Sequence, residues 1–116
     1  MELTEEQEQI LFVQWMRRQH PNDRVFAIPN GGARHPAVAA KLKAGGVVRG
    51  VPDLFIPSMW LFLEMKRASG GSVSRFQKDW IQYLSGCGYR AEVAHGFEEA
   101  KKIVENYKKT CTKNKN

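Results

Sequence analysis

The sequence predicts an α/β domain with a mixed central β-sheet flanked by helices, and three observations lead there. Helix-like and strand-like segments alternate in the order α β α β β α β α, the pattern of a layered α/β architecture. Two neighbouring segments, Asp53 to Pro57 and Trp60 to Lys66, are rich in Leu, Ile and Phe, as strands are. Within the second, Leu61 and Leu63 alternate with Phe62, so both faces are apolar; that strand is expected to be central, with helices on either side.

The first helix opens at Thr4, where a Ser/Thr cap is followed by Gln7 three residues on. Ile10, Leu11, Phe12, Val13, Trp15 and Met16 form its apolar stripe, and His20-Pro21 ends it, since proline cannot continue a helix. Val25 to Ile28 is a short β-type run closed by the turn residues Pro29-Asn30-Gly31-Gly32. Pro36 to Ala44 has proline at its start and Gly45-Gly46 after its end, the asymmetry of helix termini. After the two apolar strands, Ser69-Gly70-Gly71-Ser72 is a loop, and Ser74 with Gln77 forms a second capping box for a helix to Leu84, striped by Trp80, Ile81 and Leu84 and closed by Gly86 and Gly88. Ala91 to Ala94 is a last strand and Phe97 to Tyr107 a last helix. The expected limits are 1–107 for a single domain and 108–116 for a basic, frayed tail.

Composition narrows the function. The chain has 116 residues, 42% hydrophobic and 26% charged, enough for one domain with a modest core and no room for a second catalytic one. A formal charge of +6 gives a field that attracts polyanions, though basicity alone makes nucleic-acid binding only an even proposition. Cys87 and Cys111 are far apart without a CxxC neighbour, so neither a zinc site nor a disulfide framework is signalled. No apolar run has the length of a membrane span and the N-terminus is acidic, so a cytoplasmic protein without membrane partners is expected. His20, His35 and His95 are scattered and receive no role. For Trp15, Trp60 and Trp80, core packing outweighs base stacking, because two of them lie on helical stripes.

The chemistry is concentrated in the hairpin. A turn centred between Ser58 and Met59 places Asp53 directly opposite Glu64, with side chains about 4.5–5.5 Å apart at Cβ. Alternation puts Lys66 on that face too, with Phe55 and Phe62 nearer the turn; Leu54, Ile56, Leu61, Leu63 and Met65 take the other face. Opposed carboxylates repel, so the pair needs a compensating cation, and hard oxygen ligands favour Mg²⁺ or Mn²⁺. Such an ion suits phosphodiester hydrolysis, with Lys66 holding the attacking water or stabilising charge on the phosphoryl oxygens. A Glu-x-Lys on its own is more often a solvated strand face; the shared register with Pro52-Asp53 is what raises its weight.

Val51-Pro52-Asp53-Leu54 with Glu64-Met65-Lys66 eleven residues further on resembles the signature of the PD-(D/E)XK nucleases. More narrowly, the chain resembles the small stand-alone form of the VRR-NUC domain, the virus-type replication-repair nuclease. The likeness runs through Thr4-Glu5 to Trp15, Ile28-Pro29-Asn30-Gly31-Gly32, Leu42 to Val47, Gly50 to Leu54, Phe62 to Lys66 and Ser74 to Trp80. It implies a restriction-endonuclease-like core and Mg²⁺- or Mn²⁺-dependent cleavage of DNA. It also implies structure-selective cutting of branched or four-way (Holliday) junctions by a homodimer, in replication and repair within a host cell.

The resemblance implies Asp53 and Glu64 as metal ligands, the Met65 backbone carbonyl as a further ligand, and Lys66 as the catalytic lysine. It adds a glutamate on the first helix, Glu5 with Glu8 in reserve, against the alternative of a solvated acidic first turn. Gln77 resembles the polar helix residue beside the metal, a role that competes with its capping box without excluding it. Asn30, Gly31, Gly32 and Arg34 resemble a loop on the DNA path, although a plain reverse turn explains Asn-Gly equally well. Lys41, Arg49 and Arg67 are candidate contacts to the DNA backbone or simply solvated cations. Two other readings stand beside the endonuclease: a non-catalytic DNA-binding accessory protein on the same fold, and an RNA nuclease.

Overall fold

Local signals start each helix where the sequence places them. The computed structural model describes residues 2–30 and 35–114. Thr4 Oγ1 accepts from the Gln7 N–H at 3.1 Å while Gln7 Oε1 accepts from the Thr4 N–H at 2.9 Å, opening α1 (Glu5–Gln19) with a complete capping box. In α2 (Pro36–Ala44), proline occupies the first turn and His35 Nδ1 accepts from the Ala37 N–H at 3.2 Å. Ser74 and Gln77 repeat the capping box at α3 (Arg75–Gly86), and Gly88, with φ +97°, takes the left-handed position just beyond its end.

The strands are β1 (Phe26–Ala27), β2 (Leu54–Ile56), β3 (Leu61–Lys66) and β4 (Arg90–His95), in spatial order β1-β2-β3-β4. The first two pairings are antiparallel and the β3–β4 pairing is parallel, so the sheet is mixed and β3 is internal. A 3-10 turn, Pro57–Met59, joins β2 to β3 and pairs Leu54 with Leu63, Phe55 with Phe62 and Ile56 with Leu61, the register expected from a turn centred between Ser58 and Met59. Trp60 leaves that turn at φ +50° and is 60% exposed, leaning on Tyr89 with ring centroids 5.4 Å apart, so it lies outside the core expected for it.

One face of the hairpin closes completely. Leu54, Ile56, Leu61, Leu63 and Met65 are fully buried with Phe12, Trp15 and Met16 of α1 and with Ala100 and Val104 of α4 (Phe97–Asn114). Burial of each large side chain contributes about 1.5–3 kcal/mol, which makes this layer the main support of the sheet. The broad stripe expected on α1 narrows here, because Ile10 and Leu11 stay exposed. The other face is covered only in part: Phe55 and Phe62 are half-buried, their rings 4.3 Å apart in a ladder that continues to Phe26 and Tyr89.

One element departs from expectation and another has the limits expected of it. The last helix does not stop at Tyr107 but runs to Asn114, and Lys108 Nζ lies 2.6 Å from Asp23 Oδ2, tying that added turn to the segment after α1. No residue of α2 is buried, so its Pro and Gly punctuation, and not a packed face, sets its limits.

Candidate active site

Asp53 sits where the β1–β2 ladder ends. The Ile28 N–H donates to the Asp53 carbonyl at 2.7 Å, extending the pairing and bringing Asn30 alongside. Asn30 Nδ2 donates to the Val51 carbonyl at 3.0 Å and reaches Asp53 Oδ1 at 3.5 Å, the outer limit of a hydrogen bond. Across the hairpin, the Met65 N–H donates to Asp53 Oδ2 at 2.8 Å. The Asp53 carboxylate is thus held against the β3 backbone between Glu64 and Lys66, while the Met65 side chain points into the core.

Glu64 is 1% exposed and Lys66 6%, unusual burial for charged residues unless they are paired. Lys66 Nζ stands 3.6 Å from Glu64 Oε2, and Gln77 Nε2 donates to the same oxygen at 3.0 Å. Among the described residues Glu64 Oε1 is buried with no hydrogen-bond partner. Burial, then the charge and close approach of the Asp53 carboxyl, push the Glu64 carboxyl up from 4.5 to about 8; Lys66 works against this, and Glu5 adds a push in the same direction. Gln77 makes two contacts at once, because its two amide atoms point opposite ways: Oε1 accepts from the Ser74 N–H at 2.9 Å, and Nε2 donates to Glu64. The cap at the start of α3 therefore doubles as the brace for the buried acid.

Neither first-helix glutamate joins the pair. Glu5 is exposed and touches the site only through its field on Glu64. Among the described residues no group of three or more His, Cys, Asp or Glu side chains is gathered where it could hold a metal ion. Glu8, the reserve, is 6% exposed and committed elsewhere: its Oε1 accepts from the Phe97 N–H at 3.0 Å, binding α1 to the positive end of α4. Gly96 permits that approach, since at φ +92° a Cβ there would lie 3.1 Å from Glu8 Oε2 and from Ala68 Cβ.

A paired Asp and Glu on adjacent strands, with a buried Lys two residues after the Glu and a helix amide at its back, is the arrangement that the PD-(D/E)XK resemblance implies. The VRR-NUC domain model matches residues 3–98, which takes in all four of these residues. The chain belongs to the VRR-NUC family. A solved structure described as a VRR_NUC domain protein is similar over 94% of this chain and 91% of that one, at 29% identity and a TM-score of 0.78. No curated protein matches the chain. Membership makes this a nuclease domain on a restriction-endonuclease-like α/β fold. No helix among the described residues is long and apolar enough to cross a membrane.

In this VRR-NUC domain the residues expected to contact DNA are distributed unevenly. Asn30 turns inward to brace Asp53, so its side chain is part of the acid pair's support; Gly31, Gly32 and Arg34 lie outside the described residues. Lys41 is exposed on α2, and Arg67 is exposed beside Lys66, where it covers Gly70. Arg49 stacks on Phe76. Two neighbours of the site went unnoticed in the sequence. Register pairs Lys66 with His95 across β3 and β4, which a parallel strand pairing alone reveals. Arg75 shares the Phe76 ring with Arg49, and only the fold brings residues that far apart in sequence together.

Proposed function

We propose that this domain is a Mg²⁺- or Mn²⁺-dependent endodeoxyribonuclease that hydrolyses phosphodiester bonds at Asp53, Glu64 and Lys66. The observation that carries the reading is Glu64 Oε1, a buried carboxylate oxygen with no hydrogen-bond partner among the described residues, next to a second carboxylate. Leaving such an atom bare is costly, and a hard divalent cation is the ligand that its chemistry fits. Asp53 and Glu64 would hold the ion, with the Met65 carbonyl, one peptide along the same strand, as a further oxygen donor. When bound, the ion supplies Lewis-acid polarisation of the phosphate and offsets charge as the leaving oxygen departs.

The protein's own residues do the rest. Asn30 and the Met65 N–H orient Asp53, and Gln77 fixes Glu64 Oε2, so both ligands are set before an ion arrives. The Lys66 ammonium, 3.6 Å from Glu64 Oε2, orients the attacking water and stabilises negative charge on the phosphoryl oxygens. A domain of this size offers little surface to a branched substrate, which favours a homodimer that presents two sites to a four-way junction in replication or repair.

The test is Mg²⁺-dependent cleavage of linear duplex, flap, splayed arm, single strand and four-way junction, with matched RNA junctions beside them. Symmetric cutting of the four-way junction by a protein that sediments as a dimer supports the resolvase form. Equal cutting of every DNA leaves a general nuclease, and retained DNA binding without any cleavage leaves the accessory-protein reading.

A further inference from the structure

Gly50 is buried with φ +94°, and a Cβ there would fall 2.7–2.8 Å from the backbone carbon, Cβ and carbonyl oxygen of Phe76. Only glycine allows the chain leading into Asp53 to press this closely on the first turn of α3. The consequence lies in the residues on either side. Arg49, just before Gly50, holds its guanidinium carbon 4.3 Å from the centre of the Phe76 ring, and Arg75, just before Phe76, holds its own 5.0 Å from the same centre. One phenyl ring therefore seats two cations brought by two different segments.

Both segments lead directly to the acid pair. Gly50 is three residues ahead of Asp53, and Phe76 adjoins Gln77, whose amide donates to Glu64. Among the described residues neither arginine is ion-paired with a carboxylate, the ion pairs there being those of Lys66, Arg90 and Lys108. The two guanidinium carbons can be no further apart than the sum of their two distances from the ring centre, so their like charges repel each other, and cation–π contact at an exposed site is a weak attraction. An anion that accepts from both guanidiniums relieves that repulsion, and phosphate is the anion whose oxygens fit the planar fork of arginine. The ring also restricts two long side chains that would otherwise lose rotamer freedom on binding.

We propose that Arg49 and Arg75, seated together on Phe76, form a clamp for a backbone phosphate of the nucleic-acid strand next to the cleavage site. That the clamped strand is the one cut rests on the nuclease reading above; that it is gripped here does not. The clamp acts on sugar–phosphate, so it positions the strand without reading its bases.

The experiment measures binding of a short fluorescein-labelled DNA duplex by anisotropy in EDTA across a range of NaCl concentrations. Wild type is compared with Arg49→Gln, Arg75→Gln, the double variant, and Phe76→Leu alone and combined with the double variant. Lys102→Gln, an exposed change on α4, is the control, and thermal melting checks that each variant is folded. Each arginine change is expected to weaken binding about three- to tenfold and to flatten the log–log salt slope by about one. Phe76→Leu should weaken binding in the wild-type background and have little effect once both arginines are gone.

Unchanged salt slopes, an equal loss in Lys102→Gln, an undiminished Phe76→Leu effect in the double variant, or no measurable binding by wild type would each overturn the clamp. Adding Mg²⁺ separates the two claims. A wild type that binds but does not cut, with arginine variants that lose slope, removes the nuclease reading and keeps the clamp. A wild type that cuts, with arginine variants that keep their slope, does the reverse.

Discussion

The two faces of the β2–β3 hairpin are built from the same ten or so residues and obey opposite rules. On one, Leu54, Ile56, Leu61, Leu63 and Met65 close against α1 and α4 with almost no exposure. On the other, Asp53, Glu64 and Lys66 stand at one end of a half-covered aromatic ladder, with a buried carboxylate oxygen left bare. The first face stabilises the fold; the second spends some of that stability to keep two acids and an ammonium in one place. Strand alternation enforces the division, since a slip of one residue would exchange the two sets entirely.

The largest contrast comes from replacing an acid on the polar face. Glu64→Gln is expected to reduce Mg²⁺-dependent cleavage by at least about 10³-fold in single-turnover assays, because the group that would hold the ion is lost. The same change should leave the metal-free protein as stable or more stable in urea at alkaline pH, because a buried charge is removed. A fall in stability would mean that the acid serves the fold.

On the apolar face, Leu63→Ala is expected to cost about 2–5 kcal/mol in urea denaturation, through lost burial and the cavity left behind. Where that variant remains folded, DNA binding should persist. Gln77→Ala sits between the faces, since one side chain caps α3 and braces Glu64. It should lower stability by about 1 kcal/mol and cleavage by about 10- to 100-fold, whereas a pure cap would lose stability alone.

The remaining contrast is in pH. With the Glu64 carboxyl near 8 in the folded protein and 4.5 as its ordinary value, the folded state keeps a proton that the unfolded chain releases between those limits. Metal-free stability is therefore highest below about 4.5 from this group, falls as pH rises, and levels off above about 8. Thermal melting without metal should show that decline, Glu64→Gln should flatten it, and added Mg²⁺ should oppose it by favouring the ionised acid.

Much of this division was legible in the sequence because it depends on neighbours along the chain. The hairpin register follows from the position of its turn, the apolar and charged faces from alternation, and both capping boxes from a three-residue spacing. Contacts across the fold were not legible. Glu8 carries no mark of its bond to Phe97, because that partner is supplied by the packing of α1 on α4. Asn30 read as part of a DNA-path loop or a plain turn until the β1–β2 pairing aimed it at Asp53, and Arg49 as a DNA-backbone contact or a solvated cation until Gly50 brought it to Phe76. The end of α4 was misplaced because a Lys-rich segment reads as a tail, whereas the Lys108–Asp23 pair anchors it.

The most direct measurement is cleavage of a four-way junction and its linear duplex arms in Mg²⁺ and in EDTA, by wild type and by Lys66→Ala, with DNA binding followed in parallel. Cutting should require the divalent ion and fall by about 10²- to 10³-fold in Lys66→Ala while binding in EDTA is retained. Cleavage that persists in EDTA, or that Lys66→Ala leaves unchanged, would contradict it.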